Sequence, residues 1–245
     1  MKFSYSAVWN DAMQMLRQHG SLVLAVAGVF FLLPGLLVGY LLPQPTGEGP
    51  DLMNAMMAYY YDNWLWLLLA NIVNLIGYIA IYRLLFDQRG GTVAGAIGGA
   101  LPILPMYFIM TVLTGMAVGA GFVLFILPGI YLFGRIAVSG AAMVAEGHRG
   151  PLSPIGRSWD LSRRRGWAVA GLLVIVILVG TLLTMVATAV LGTIFILIGG
   201  REGLGPLLVL ILNSALITVL MTVLITVLAA IYRALVGLSE PTTGA

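Results

Sequence analysis

The chain has 245 residues, of which 60% are hydrophobic and only 9% are charged, and its formal net charge is +3. Soluble domains contain about 25% charged residues, so this composition excludes a water-soluble globular fold. Apolar runs of about 18 or more residues recur along the chain, and such runs are typical of membrane-spanning helices. We therefore predict an all-α polytopic membrane protein with a single integral membrane domain over residues 1–245.

Residues 5–88 form the first of three predicted units, each with a short interfacial helix followed by two membrane spans. Trp9, Ala12, Met13 and Leu16 share one helical face, which predicts an amphipathic helix at the membrane interface over residues 5–18. The other predicted segments are a span at about 21–42 with a kink at Pro34-Gly35, a polar loop at 43–63 and a span at about 64–86.

Residues 89–148 form the second unit. No charged residue occurs from Gly90 to Gly134. As one helix this run would be about 68 Å long, whereas the hydrocarbon core of a bilayer is about 30 Å thick, so the run must fold back. The predicted segments are an interfacial helix at 92–101, a span at about 104–126, a turn at Pro128-Gly129 and a span at about 130–145.

Residues 149–237 form the third unit. Its predicted segments are an interfacial helix at 151–166, a span at about 167–197, a loop at 199–206 and a span at about 207–236. Residues 9–20 align without gaps on residues 155–166, with Arg17 on Arg163 and Gly20 on Gly166. This similarity indicates a threefold helix-hairpin repeat (5–88, 89–148, 149–237), and chance similarity of short segments is the alternative.

The basic residues indicate the topology. One side of the membrane receives Lys2, Arg17, Arg83, Arg89, Arg149, Arg157, Arg163, Arg164, Arg165 and Arg233. The other side receives Arg201 with the acids Glu48, Asp51, Asp62 and Glu202. Because cytoplasmic loops are enriched in Lys and Arg, we predict six transmembrane helices, both termini in the cytoplasm and three cytoplasmic interfacial helices.

The third interfacial helix is a candidate binding element for lipid or a partner protein. Leu152, Ile155 and Trp159 share one face, and the spacing of Arg157, Asp160 and Arg164 on another allows ion pairs. The basic candidates that continue from this helix are Arg163, Arg164 and Arg165, followed by Trp167 at the start of the next span. Each such cation contributes about 1 kcal/mol near an anionic surface. The alternative is a signal that only keeps this loop in the cytoplasm.

Arg135 lies inside the fourth predicted span, where a charge costs at least about 2.5 kcal/mol and is expected to face the bundle or water. It has the chemistry to hold a phosphate or carboxylate group. The structural alternative is an arginine satisfied by backbone carbonyls or by Asn71, Asn74 or Asn213. Glu146, about three turns later, is expected to contact His148, Arg149 or the third interfacial helix as a hinge contact rather than as a catalyst.

Small and hydroxyl residues recur at helical spacing on the spans. Gly115 and Gly119 form a small-xxx-small pair, and Thr218 and Thr222 belong to a stripe with a spacing of four residues. Both patterns predict helix packing, and a polar conduit is the alternative.

Several functional classes lack their sequence signatures. The chain has no cysteine and only two histidines, His19 and His148, which argues against a thiolate-based or histidine-based metal site. It contains no nucleophile elbow, phosphate-binding loop or dinucleotide fingerprint. We therefore expect no catalytic residues, no metal, no cofactor and no nucleic-acid partner.

A pattern between residues 128 and 167 resembles a known family. Its residues are Pro128-Gly129-Ile130-Tyr131-Leu132, Arg135, Glu146-Gly147, Pro151, Arg157-Ser158-Trp159, Leu161-Ser162-Arg163 and Trp167. The pattern resembles the membrane domain of bacterial glycerophosphodiester phosphodiesterases and the YciC-type inner-membrane proteins, where Gly often stands at the position of Arg164. The resemblance implies an α-helical module of the bacterial inner membrane. It implies no phosphodiesterase activity, because the catalytic barrel would need about 250 further residues.

Two functional hypotheses follow from a helix bundle that is poor in polar residues but has many basic and aromatic residues at its interface. The preferred one is a non-enzymatic scaffold or accessory subunit that binds anionic membrane lipids, a membrane-protein partner or a second copy of the chain. The alternative is a transporter or lipid-translocating protein with a polar cavity around Arg135.

Overall fold

A computed structural model describes residues 3–42, 45, 49–87 and 91–239, with side chains as far as residue 237. The regular elements within these residues are all helical, as predicted. In chain order they are α1 (Tyr5–Ala27), a π-helical turn (Gly28–Leu32), α2 (Leu33–Leu41), α3 (Gly49–Phe86), α4 (Val93–Ala100), α5 (Leu104–Leu124), α6 (Ile126–Ile136), α7 (Ser139–Ala145), α8 (Leu152–Leu161), α9 (Gly166–Gly199), a second π-helical turn (Gly200–Leu204) and α10 (Gly205–Ser239). Lys2, Glu48 and Arg89, which the topology prediction uses, lie outside the described residues.

The first interfacial helix and the first span form one continuous helical stretch. The helix does not end at residue 18 as predicted, because α1 continues to Ala27. The irregularity lies just before the predicted kink at Pro34-Gly35, in the π-helical turn Gly28–Leu32, after which the Leu33 N–H donates to the Gly28 carbonyl. Pro34 has no N–H to donate to the residue four positions earlier, and both a proline and a π-bulge are recognised causes of a helix kink.

The second span begins earlier than predicted. α3 starts at Gly49 and contains 38 residues, so the predicted polar loop is wrong from residue 49 onward. Tyr61 and Trp64 lie on helical turns and are 82% and 61% exposed. These turns are polar or aromatic rather than aliphatic, and hydropathy alone therefore placed the helix start too late.

The turn between α5 and α6 lies at Phe125 and not at Pro128-Gly129. Phe125 is the extended residue between the two helices, whereas Pro128 lies in the first turn of α6, where a missing N–H costs nothing. A Cβ at Gly129 would stand 2.5 Å from the Phe122 ring, and one at Gly121 would stand 3.0 Å from the Gly129 Cα. The two glycines thus allow α5 and α6 to pack closely.

The last two helices form an antiparallel pair. The Gly192 position faces Val209, and a Cβ at Gly180 would meet Leu220. Within the part of the chain that the structure describes, five stretches are long and apolar enough to cross a membrane: Tyr5–Leu41, Gly49–Phe86, Leu104–Leu124, Ile126–Ala145 and Gly166–Gly237. These stretches fit a membrane-embedded protein. The last has 72 residues and contains both α9 and α10, so the count of six, which separates these two helices, stays a prediction.

The main core lies where α1, α3, α7, α9 and α10 meet. Its fully buried large side chains include Met15, Leu84, Val138, Leu173 and Ile231. Close packing of this kind holds helices together in lipid, where burial from water supplies little.

The polar stripe of α10 faces this core. Thr218, Thr222 and Thr226 are buried, and their hydroxyls donate to the carbonyls four residues earlier at 2.7 to 2.8 Å. Gly115 and Gly119 require a correction, because they are exposed and a Cβ at either position would meet nothing within 4 Å. They lie on the outer face of α5 and do not pack two helices of this chain together.

Two of the predicted interfacial segments form separate short helices, α4 and α8. Thr92 caps α4 by accepting a hydrogen bond from the Gly95 N–H at 3.1 Å. The location of α4 and α8 at a membrane interface stays a prediction. The threefold repeat also stays a prediction, because in the first unit the predicted interfacial segment is part of α1 and is not a separate short helix.

Candidate functional site

Arg135 lies near the end of α6, at the junction of α6, α8 and the start of α9. Its backbone carbonyl accepts hydrogen bonds from the Ser158 and Ser162 hydroxyls, both at 2.9 Å. The last carbonyls of a helix have no partner within the helix. Ser158 in α8 and Ser162, which directly follows α8, lie four positions apart and therefore fix α8 against the end of α6.

The guanidinium of Arg135 is packed between aromatic rings. The residue is 2% exposed, and Cζ lies 4.1 Å from the centroid of the Trp159 ring and 5.8 Å from that of Tyr131. Desolvated cation–π contacts contribute about 2 kcal/mol. The structure thus places Trp159, a predicted binding residue, directly against Arg135.

The described residues provide no other compensation for the charge of Arg135. Among them, its buried Nε and Nη1 atoms have no hydrogen-bond partner, so Asn71, Asn74 and Asn213 do not satisfy them. Within the described residues no carboxylate lies within 4.0 Å of it. Burying an unpaired charge costs several kcal/mol, which is more than the stabilisation that the cation–π contacts contribute.

Two glycines allow the close approach of α6 and α9 at this point. A Cβ at Gly134 would stand 2.5 Å from the Gly166 carbonyl oxygen and 2.6 Å from the Ala170 Cβ. A Cβ at Gly166 would stand 2.7 Å from Cδ of Arg135. Larger residues at either position would separate the two helices and displace the arginine.

An open groove of about 720 Å³ lies between the start of α6 and the start of α9. We call it the α6–α9 groove; its lining residues are Leu127, Pro128, Tyr131, Arg163, Arg164, Arg165, Gly166, Trp167 and Ala168. Arg135 is not among them and lies behind Tyr131 and Gly166. The Trp167 ring is 5.4 Å from the Tyr131 ring and the residue is 55% exposed. The structure therefore brings the predicted residues Arg163, Arg164, Arg165 and Trp167 together in one groove.

Glu146 joins three elements in a second polar cluster. Its Oε1 accepts from Arg157 Nε and from the Tyr232 hydroxyl, both at 2.8 Å, and its Oε2 lies 3.0 Å from His148 Nε2. We call Glu146, His148, Arg157 and Tyr232 the Glu146 cluster. The predicted contacts to His148 and to the third interfacial helix are confirmed, and no ion pair joins Glu146 to Arg149.

Hydrogen bonding determines the charge state of Glu146. Partial burial acts to raise the pKa of its carboxyl group, but hydrogen bonds from Arg157, Tyr232 and His148 and the charge of Arg157 outweigh it and hold this pKa below its ordinary value. The same hydrogen bond raises the pKa of Arg157. Both groups are therefore ionised at neutral pH.

The predicted pairing along α8 is wrong. Arg157 pairs with Glu146 instead of Asp160, and Asp160 forms no ion pair with Arg164. The predicted apolar face of Leu152, Ile155 and Trp159 is not buried as one surface. Leu152 is 68% exposed, whereas Ile155 packs against a small hydrophobic cluster that includes Met143. The face of α8 that is buried contains Pro154, Ser158 and Leu161.

Sequence reasoning missed Tyr232, Ser158 and Ser162 as site residues. Tyr232 is 86 residues from Glu146, and no helical spacing rule links positions so distant. The two serines do have a signal, since their spacing of four residues places them on one helical face.

Comparisons of the chain with protein-family models, with characterised proteins and with solved structures gave no match.

Proposed function

We propose that this protein is a non-enzymatic membrane scaffold or accessory subunit that binds anionic lipids and partner membrane proteins through its basic face, and chiefly through the α6–α9 groove on that face. The observation that supports it best is the grouping of Arg163, Arg164 and Arg165 with the exposed Trp167 on one groove. Basic residues beside an interfacial tryptophan are typical of surfaces that contact lipid headgroups.

The proposal includes a location and a family relation. A bacterial inner membrane with both termini in the cytoplasm agrees with the distribution of arginines and with the resemblance to the membrane domain of glycerophosphodiester phosphodiesterases. Transport around Arg135 has less support, because its guanidinium lies against the Trp159 ring and does not line the α6–α9 groove.

The test is purification of the full chain in native lipid nanodiscs, followed by identification of the lipids and proteins that co-purify. We expect anionic lipids to be enriched over the bulk membrane, and a variant with Arg163, Arg164 and Arg165 changed to Gln to lose this enrichment. The matched control removes the same charge at Arg17, Arg149 and Arg201 and should keep it. An isolated protein with bulk lipid composition and no partner would contradict the proposal.

A further inference from the structure

We propose that α3 pairs in parallel with α3 of a second copy of this chain, through one face of the helix. The residues of this face are spaced alternately by four and three positions, and we call them the α3 stripe: Met53, Met57, Tyr60, Trp64, Leu67 and Asn71. This alternation is the heptad spacing of helices that pair in a coiled coil. The inference goes beyond the proposed lipid binding and does not depend on the α6–α9 groove.

Within the part of the chain that the structure describes, the α3 stripe is largely uncovered. Its first four residues are 55% to 63% exposed. Leu67 is partly exposed and Asn71 is exposed, and the first buried residue of α3 is Leu75. A continuous row of exposed methionine and aromatic side chains on one helical face is an apolar surface of the kind that another helix covers.

The hydrocarbon of the bilayer covers only part of the α3 stripe. α3 has 38 residues, which extend about 57 Å at 1.5 Å per residue, whereas the hydrocarbon core is about 30 Å thick. The aliphatic run begins at Leu65 and continues to Phe86, so the excess length lies at the start of the helix. An interfacial aromatic belt accounts for Trp64, but Met53 lies about three turns farther out. A helix that continues into a span without a break does not lie flat on the membrane surface.

Asn71 is the independent observation that points to a second copy. It lies in the aliphatic run, and among the described residues its exposed amide has no hydrogen-bond partner. Asn63, in contrast, donates to the Tyr59 carbonyl at 2.9 Å. An unpaired polar group in hydrocarbon is costly, and asparagines in spans form hydrogen bonds between helices. Because an amide both donates and accepts, Asn71 can pair with the partner's Asn71 across a twofold axis. One asparagine in a heptad seam also fixes its register and oligomeric state.

The charges of α3 favour the same arrangement. Asp51 and Asp62 each precede a stripe residue by two positions, which is about 200° around the helix. Both acids are exposed on the face opposite the stripe, so two stripes meet without bringing these like charges together. Copies inserted in one membrane have the same orientation, and their stripes therefore stand at the same height. A parallel, in-register pair needs no displacement of either copy.

The first experiment measures self-association of the full chain in liposomes. Energy transfer between copies labelled at the N-terminus is followed as the protein-to-lipid ratio rises, and we expect a saturating signal from two copies. Met57→Glu should raise the dissociation constant of the pair at least about tenfold, because it places two like charges in the seam. The neighbouring Ala58 is exposed and lies outside the stripe. Ala58→Glu adds the same charge and should leave the dissociation constant unchanged.

A second pair of variants tests Asn71. Asn71→Leu should raise the dissociation constant about tenfold, the change expected for loss of one polar contact between spans. Asn71→Gln keeps a donor and an acceptor and should retain most of the affinity. All of these variants replace exposed residues, so an unchanged helical circular dichroism spectrum separates loss of pairing from misfolding.

Oxidative cross-linking in native membranes identifies the occupant of the stripe. The chain has no cysteine, so Tyr60→Cys and Asp62→Cys each introduce one thiol. We expect Tyr60→Cys to form a disulfide between two copies and Asp62→Cys, on the opposite face, to form none.

Three results would each overturn the inference: a single copy at every protein-to-lipid ratio, equal effects of Met57→Glu and Ala58→Glu, or a cross-link from Tyr60→Cys to a different protein. None of them bears on the enrichment of anionic lipids, which depends on the arginines at 163–165 and not on α3. Conversely, a variant that loses this enrichment should still form the pair, so the two proposals fail separately.

Discussion

Glu146 is the residue through which α7, α8 and α10 are joined by polar contacts. Its side chain is 26% exposed, so water screens its ion pair with Arg157 only in part. The Tyr232 hydroxyl donates to the same oxygen. A carboxylate that accepts several donors at once stabilises more than an isolated surface pair, which contributes about 0–1 kcal/mol.

Replacing Glu146 with Gln should destabilise the protein by about 1–2 kcal/mol, because an amide accepts more weakly and cannot compensate the charge of Arg157. Thermal unfolding in detergent, followed by tryptophan fluorescence, measures the loss. Glu202→Gln is the matched control, since Glu202 is exposed in the turn between α9 and α10 and has no ion pair in the described structure. Equal melting temperatures for the two variants would show that the Glu146 cluster adds nothing.

The lowered pKa of Glu146 predicts the pH dependence of this contribution. Folding favours the ionised carboxylate, so its stabilisation is fully present above the unfolded-state pKa of about 4.3 and is lost as the pH falls through the lower folded-state pKa. The melting temperature of the native protein should therefore approach that of Glu146→Gln between about pH 5 and pH 3. A difference that grows over this acidic range would contradict the sign of the pKa shift.

Contact between α6 and α9 depends on a glycine at position 134. Gly134→Ala should destabilise the protein by about 1–3 kcal/mol, because its Cβ would stand 2.5 Å from the Gly166 carbonyl oxygen and neither backbone yields cheaply. Gly115→Ala is the control, as a Cβ there meets nothing within 4 Å, and alanine suits a helix better than glycine. The same unfolding assay should show a loss for the first and no loss for the second. Equal losses would mean that α6 and α9 do not approach as described.

Helices with uniform apolar sequence were predictable from that sequence, and their junctions were not. The starts of α5 at Leu104 and α9 at Gly166 lie within one residue of the predicted positions. The reason is that each begins a long aliphatic run without charged residues, and such runs are typical of membrane-spanning helices. The prediction of a turn at Pro128-Gly129 was wrong because proline is compatible both with a loop turn and with the first turn of a helix. The predicted start of α3 was too late because the helical turns that precede the aliphatic run have no hydropathy signal.

The candidate site was predictable in its residues more than in its contacts. Arg135 and the three arginines at 163–165 stood out because charge is rare in this chain, and Trp159 stood out by its place on the apolar face of the third interfacial helix. The stacking of Arg135 on Trp159, 24 positions away, depends on how α8 folds back over α6, which the serine hydroxyls determine. Periodicity describes one helix at a time and contains no information on that docking.

In the described chain, the ion pairs and charged turns that join helices lie at two ends of the helix bundle. Asp11 pairs with Arg233 at 3.3 Å, and Phe86 lies 5.6 Å from the ring of Tyr232, which bonds Glu146. The start of α1 and the ends of α3, α7 and α10 therefore meet at one end. A Cβ at Gly39 would meet Leu210, which places the end of α2 near the start of α10 at the other end, where Arg201 and Glu202 join α9 to α10.

This separation predicts which residues a membrane-impermeant reagent reaches. The chain has no native cysteine, so Ser6→Cys, Arg149→Cys and Glu202→Cys each introduce a single labelling site at an exposed position. In intact cells we expect a charged maleimide to label Glu202→Cys alone, and to label Ser6→Cys and Arg149→Cys only after permeabilisation, as the arginine distribution predicts. Four crossings separate positions 6 and 149 in the predicted topology, and α9 alone separates 149 from 202. Labelling of 6 and 149 from opposite sides would require an odd number of crossings before α8, and labelling of 149 and 202 from the same side would mean that α9 does not cross the membrane.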